Sequence, residues 1–165
     1  MKKKRLSSML LAALAMGLWT EAQTVPRWST ADLQHAINTT RGPVILNFWA
    51  TFCKPCIAEM PRFQAMARRY RSKGVKLILV SLDMKESYPR EIAAFVKKRE
   101  IRSAVVFLDE QNADRFVPLV DTSWSGAIPA TLFLYPAKNY RAFFEEELSG
   151  EKLDAEVRRM LGKNQ

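Results

Sequence analysis

The sequence predicts an α/β fold, a five-stranded mixed sheet with helices on both faces. Three observations carry that reading. Apolar runs of strand length alternate with helix-like stretches from residue 29 to residue 120, the pattern of parallel strands joined by right-handed crossovers. Two further apolar runs follow each other across Pro136-Ala137-Lys138-Asn139, the pattern of an antiparallel hairpin. A last amphipathic stretch, Gly150 to Leu161, packs back onto the sheet.

Thr24 to Trp28 reads as a loose lead-in. Ser29 or Thr30 caps a helix reaching about Asn38. After a turn at Arg41-Gly42-Pro43, Val44 to Trp49 (V-I-L-N-F-W) is a mostly buried strand. A long helix runs from Cys53 to Ser72 and ends at Gly74. Pro61 inside it has no N–H for the Ile57 carbonyl, which favours a kink near Ile57. Val75 to Leu82 is a second strand, apolar enough to be buried on both faces. Ser87-Tyr88-Pro89 opens a helix with proline in its first turn and Ile92, Phe95 and Val96 on one face. Ala104 to Leu108 is a third strand, and Asn112 to Val120 a short helix in spite of Pro118. Ala130 to Tyr135 and Tyr140 to Glu146 form the hairpin. The closing helix turns Leu153, Val157, Met160 and Leu161 inward. The expected strand order is 104–108, 75–82, 44–48, 131–135, 140–146. Sites in such sheets lie at the C-terminal ends of the strands.

The N-terminus sets the expected compartment. Lys-Lys-Lys-Arg at residues 2–5 precedes a mostly apolar run from Leu6 to Trp19, then Thr20-Glu21-Ala22. A basic start, a short apolar stretch and small residues at the cut describe a secretory signal peptide over residues 1–22, and residues 23–165 remain as one domain. An uncleaved anchor is the competing reading, but the run falls short of the roughly 20 apolar residues a bilayer span needs. The expected location is extracytoplasmic, periplasmic or secreted, where surroundings are oxidising. The whole chain carries +9; removing residues 1–22 leaves 22 basic against 16 acidic residues, a mild +6. Arg68, Arg69, Arg71, Lys97, Lys98 and Arg99 fall near predicted helix ends, where cations suit the helix dipole. No basic stripe interleaved with aromatics appears, so nucleic acid is not an expected partner.

The chain has two cysteines, both in Trp49-Ala50-Thr51-Phe52-Cys53-Lys54-Pro55-Cys56. A C-x-x-C that follows an apolar strand and opens a helix is the arrangement of a dithiol redox site. A thiolate attacks disulfides and a thiol does not. At a helix N-terminus the unpaired N–H groups and the dipole favour the anion, and Lys54 adds a cation beside Cys53. Pro55 sits where a missing N–H does little harm. Cys56, one turn further in, is placed to attack a mixed disulfide at Cys53. Cys53 is therefore the expected nucleophile and Cys56 the resolving thiol.

Other chemistries fit less well. Zinc needs about four ligands, and the chain supplies two cysteines and one histidine, His35, on another helix. Copper would want a nearby histidine or methionine, and Met60 is the close one. A purely structural disulfide is possible in a secreted protein, but so small a loop constrains the unfolded chain little. No metal is expected, and dithiol exchange calls for no cofactor.

W-A-T-F-C-K-P-C resembles the W-A-x-W-C-x-P-C signature of the thioredoxin superfamily, and among its branches the extracytoplasmic one named for TlpA and ResA. A second match is Ser125-Gly126-Ala127-Ile128-Pro129-Ala130-Thr131-Leu132-Phe133, where the family places a cis-proline facing the C-x-x-C. The two motifs span roughly residues 28–162 and imply a thioredoxin fold. They also imply a cis Ile128–Pro129 bond and substrate contacts at Trp49, Phe52, Lys54, Pro55 and Ile128. Trp124 reads as either part of that docking surface or a core or rim aromatic. The branch carries a proton-transfer glutamate three residues after the second cysteine, here Glu59. Two departures stand out. Asn47 occupies the place of the buried aspartate of thioredoxins proper, and Phe52 replaces a tryptophan.

The resemblance implies a secreted thiol–disulfide oxidoreductase that reduces protein disulfides, with a membrane thiol donor recharging it. It points to apocytochrome maturation or general rescue of cysteines. Two alternatives remain: a thioredoxin-scaffold binding module for a metal or folding partner, and a thiol-peroxidase. The latter wants a P-x-x-x-T/S-x-x-C context that Pro43 to Cys53 does not match. Oligomeric state has no signature in the sequence.

Overall fold

The computed structural model describes residues 24–162. The expected signal peptide, residues 1–22, lies outside the described residues. In chain order the elements are β1 (Arg27–Trp28), α1 (Thr30–Thr39), β2 (Val44–Trp49), α2 (Lys54–Arg69), β3 (Lys76–Ser81), α3 (Arg90–Lys98), β4 (Ala104–Leu108), α4 (Ala113–Val120), β5 (Ala130–Tyr135), β6 (Tyr140–Phe144) and α5 (Gly150–Met160). The sheet has six strands in the order β1-β4-β3-β2-β5-β6. The pairs β1·β4, β4·β3 and β3·β2 are parallel, and β2·β5 and β5·β6 antiparallel.

The five expected strands stand in the expected order. The sixth corrects the lead-in reading of residues 24–28. Arg27 and Trp28 pair with Phe107 and Leu108, and two backbone bonds fix them, Phe107 N–H to Pro26 O at 2.8 Å and Asp109 N–H to Trp28 O at 2.8 Å. A two-residue strand is too short to show a period of two, so its sequence carries no pattern to read. Two expected strands are also trimmed. Val75 and Leu82 flank β3, whose Lys76 is exposed and Ile78 half-buried, so it is not buried throughout; β6 ends at Phe144.

Strand alternation sets the layers. Ile45, Asn47 and Trp49 of β2 face one side, Val44, Leu46 and Phe48 the other, and all six are buried. On the first side, Ile45 and Trp49 join Leu77, Leu79, Val105, Phe107 and Phe133 in a core closed by α2, α3 and α5. On the second, Val44, Leu46 and Phe48 join Val80, Val106, Leu132 and Leu134 under α1 and α4. Helices thus cover both faces.

Local chemistry explains the helix ends. Ser29 and Asp32 form a reciprocal capping box on α1. Asn112 caps α4 and Ser149 caps α5. Gly74 closes the turn after α2 at φ 75°, a left-handed conformation suited to glycine. Pro61 sits within the span of α2 on its exposed side. The buried stripe of α2 is Cys56, Glu59, Met60, Phe63 and Met66, at helical spacing. Its one acidic member lies under the sheet's centre. Among the described residues no helix is long and apolar enough to cross a membrane.

Candidate functional site

The chain leaves β2 at Trp49 and turns at once, with Cys53 N–H on Ala50 O at 3.1 Å. This puts Cys53 at the N-cap of α2. Its Sγ accepts the Cys56 N–H at 3.3 Å, and its carbonyl accepts the Ile57 N–H at 3.1 Å. The sulfur takes the place that a serine or aspartate oxygen takes at an ordinary cap. In the reduced protein the same N–H and the helix dipole favour a Cys53 thiolate. Cys53 and Cys56 are joined by a disulfide, S–S 1.99 Å and Cα–Cα 5.3 Å. Cys53 keeps 7% of its surface exposed and Cys56 none. An outside disulfide therefore meets Cys53 first.

The second motif arrives from the other side. The Ile128–Pro129 peptide is cis, and the Ile128 carbonyl oxygen lies 3.8 Å from Cys53 Sγ. Pro129 is buried, and Ile128 is partly exposed beside the sulfur. Phe52 is 63% exposed, and Lys54 and Pro55 are also on the surface. These residues form one face around Cys53.

Beneath that face lies Glu59, fully buried. Its Oε1 accepts Asn47 Nδ2–H at 2.8 Å, and its Oε2 accepts the Leu148 N–H at 2.9 Å. Asn47 also reaches Thr131 Oγ1 at 3.1 Å. Burial pushes the Glu59 carboxyl up to about 7. The hydrogen bonds from Leu148 and Asn47 and the charge of Arg62 oppose that rise, and Glu147 adds to it. Three residues apart on α2, Glu59 and Cys56 share one buried stripe.

A second buried carboxylate holds the loop above. Asp83, just past β3, accepts the Thr51 N–H at 3.0 Å and the Thr51 hydroxyl on Oδ1, and the Ser81 hydroxyl on Oδ2 at 2.7 Å. The loop that ends at Cys53 is thereby tied to the neighbouring strand. Among the described residues no three His, Cys, Asp or Glu side chains gather so as to hold a metal ion.

Two expected contact residues are corrected. Trp49 is fully buried and packs on Phe95 at 5.3 Å between ring centroids, so substrate cannot touch it. It lies on the β2 face it shares with Ile45, under α2, α3 and α5. Trp124 is 4% exposed in the core on the opposite face, between Phe48 at 4.8 Å, Phe116 at 5.6 Å and Phe143 at 5.8 Å. Its indole N–H donates to Ala127 O at 2.8 Å, so it holds the loop from within and offers no docking surface. Sequence reading also missed Asp83, Thr131 and the Leu148 N–H. None has a local signature, because each is defined by a partner more than ten residues away.

A disulfide at a helix cap, a cis-proline beside it and a buried carboxylate below define a thioredoxin-type site. Residues 22–142 match the AhpC/TSA family, and the chain belongs to it. One relative is the thiol-disulfide oxidoreductase ResA of Oceanobacillus iheyensis, 32% identical over 111 residues, which are 67% of this chain and 53% of that protein. The chain spans about half the length of the ResA relatives it matches. Among solved structures, the thioredoxin-related protein of Neisseria meningitidis serogroup B matches with a TM-score of 0.63 and 23% identity, over 76% of this chain and 90% of that one. StoA of Bacillus subtilis matches with a TM-score of 0.54 and 23% identity, over 73% of this chain and 86% of that one. The fold is the thioredoxin fold.

Proposed function

We propose that this protein is an extracytoplasmic thiol–disulfide oxidoreductase that reduces protein disulfides. The observation that carries the reading is the vertical order of the site. Cys53 is at the surface on a helix cap, Cys56 is buried behind it, and Glu59 is buried in the same stripe with a carboxyl that titrates near neutrality.

The chemistry runs in two displacements. The Cys53 thiolate attacks one sulfur of a substrate disulfide; a Cys53–substrate bond forms, and the other substrate sulfur leaves as a thiolate that takes a proton from water. The Cys56 thiol then gives its proton to the Glu59 carboxylate and attacks Cys53 Sγ. The Cys53–Cys56 bond forms, the Cys53–substrate bond breaks, and the remaining substrate sulfur leaves as a thiolate that takes a proton from water. Two electrons have passed from the dithiol to the substrate. A membrane thiol donor that returns two electrons would close the cycle.

The name of the ResA relative supports disulfide exchange, and the basic, apolar N-terminal sequence supports export. The direction rests on Glu59 and the C-x-P-C sequence. Lys54 works against it, because stabilising the Cys53 thiolate makes the disulfide more oxidising. The test is insulin reduction by dithiothreitol together with a glutathione redox titration. Faster reduction and a potential well below the about −120 mV of a strong oxidant support a reductase. No acceleration leaves a binding module, and a potential near that value makes the protein an oxidant.

A further inference from the structure

Glu145 follows directly after β6, and its carboxylate is turned toward the loop that leads into the cis-proline. Its Oε2 accepts the Ser125 N–H at 3.0 Å, its Oε1 accepts the Ala127 N–H at 3.0 Å, and the Ser125 hydroxyl also donates to Oε1. Trp124 Nε1–H holds Ala127 O from the core side at 2.8 Å. Between them Gly126 takes φ 93°, a left-handed conformation that suits glycine. A Cβ there would touch Val117 and Ala113 at 3.7 and 3.9 Å. No lysine or arginine among the described residues pairs with Glu145, so its acceptor capacity goes to the loop. Burial works to raise its pKa, but the Ser125 and Ala127 hydrogen bonds outweigh that and leave it lowered, so it stays an anion near neutral pH.

Ser125 and Ala127 are themselves exposed. Without the carboxylate their N–H groups would turn to water, and the loop would regain the backbone freedom that folding removed. The next residue is Ile128, whose carbonyl stands 3.8 Å from Cys53 Sγ. Any loosening at 125–127 is passed straight to the backbone beside the reactive sulfur. We propose that Glu145 is a positioning residue that presents the Ile128 backbone to an extended protein substrate, and so sets a preference for protein disulfides over small ones. A chain running alongside Ile128 needs that backbone ordered, whereas a small disulfide needs only the sulfur. The proposal rests on the oxidoreductase reading above.

The experiment is single-turnover oxidation of the pre-reduced full chain, by insulin and separately by hydroxyethyl disulfide. In Glu145→Ala, the ratio of the second-order rate constants, insulin over hydroxyethyl disulfide, is expected to fall about fivefold to tenfold, since charge-assisted hydrogen bonds are lost only from the docking loop. Glu145→Gln keeps one carbonyl acceptor and is expected to recover part of the ratio. An unchanged ratio overturns the proposal, whether both rates stay at the wild-type value or both fall together with a lowered Tm. If wild-type protein reacts with neither disulfide, the oxidoreductase reading itself is lost, and this proposal with it.

Discussion

Asn47 Nδ2 stands 2.8 Å from Glu59 Oε1, joining the middle of the central strand to the buried face of the dithiol helix. An aspartate here would set two carboxylates against each other in the core. The asparagine amide can serve either state of Glu59. With Glu59 ionised, Nδ2 donates to the carboxylate and to Thr131 Oγ1. With Glu59 protonated, a flipped amide accepts from the carboxylic acid, and the Thr131 hydroxyl can donate to the same Oδ1.

The first prediction concerns Glu59→Gln. The flipped Asn47 amide accepts from the new carboxamide, whose oxygen keeps the Leu148 N–H, so the variant should fold. Its mixed disulfide should form at the wild-type rate and resolve more slowly, by about tenfold to a hundredfold if Glu59 is a general base. The dependence of resolution on pH around 7 should vanish. Unchanged resolution kinetics from pH 5 to pH 9 would falsify the role.

Stability of the oxidised protein gives an independent reading of the same group. Folding raises the Glu59 pKa from the usual 4.5 to about 7. The folded state therefore holds a proton that the unfolded chain has lost across that window. The contribution is fully present below about pH 4.5 and disappears as pH rises through about 7. The full swing is on the order of 3 kcal/mol, from about 1.4 kcal/mol per unit. Glu59→Gln lacks this titration, so its Tm relative to wild type should rise from pH 5 to pH 8. A constant difference between the two proteins would show that Glu59 does not titrate there.

Asn47→Leu removes a donor that holds the Glu59 pKa down. The midpoint of the pH dependence of resolution should move upward from about 7. Thr131 also loses its Asn47 partner, and a net loss of about 1–3 kcal/mol is expected from the groups left unpaired. A downward shift of the midpoint would mean that Asn47 favours the neutral acid.

Cys56→Ala should trap covalent complexes through Cys53, because attack proceeds and resolution cannot. The adducts should vanish on reduction and be absent from Cys53→Ala. Cys53 keeps 7% exposure and Cys56 none, so equal trapping through Cys56 would reverse the two roles.

How much of this was legible in the sequence depends on whether a residue's role is local or made by the fold. The strands V-I-L-N-F-W and A-V-V-F-L and the helix behind Cys53 rest on short-range patterns and stand where those patterns place them, whereas the cis bond at 128–129, also present, is implied by the family resemblance. Alternation along β2 puts Trp49 on the same face as Ile45 and Asn47, under α2, α3 and α5. Membership of a familiar motif argued for surface contact, but β2 is central and covered by helices on both faces, so all six of its residues are buried. Glu145, Glu146 and Glu147 are indistinguishable in F-F-E-E-E-L, yet one holds the loop before Pro129 and the other two form ion pairs. The partner of Glu59 at Leu148 is a backbone N–H 89 residues away, which no side-chain pattern encodes.

The last prediction tests the core placement of Trp124. A docking aromatic can be removed with little harm to folding, since surface substitutions usually stay within about 0.5 kcal/mol. A core aromatic cannot. Trp124 packs against three phenylalanines on three different elements, Phe48 of β2, Phe116 of α4 and Phe143 of β6. Trp124→Ala should therefore leave a cavity and cost about 3–5 kcal/mol. Trp124→Phe keeps most of the ring contact but leaves Ala127 O without its donor, a net loss of about 1 kcal/mol for one hydrogen bond. Urea denaturation reads both, as a shift of the midpoint with the slope unchanged. If Trp124→Ala kept the wild-type midpoint while insulin reduction fell, the tryptophan would belong to the docking surface after all.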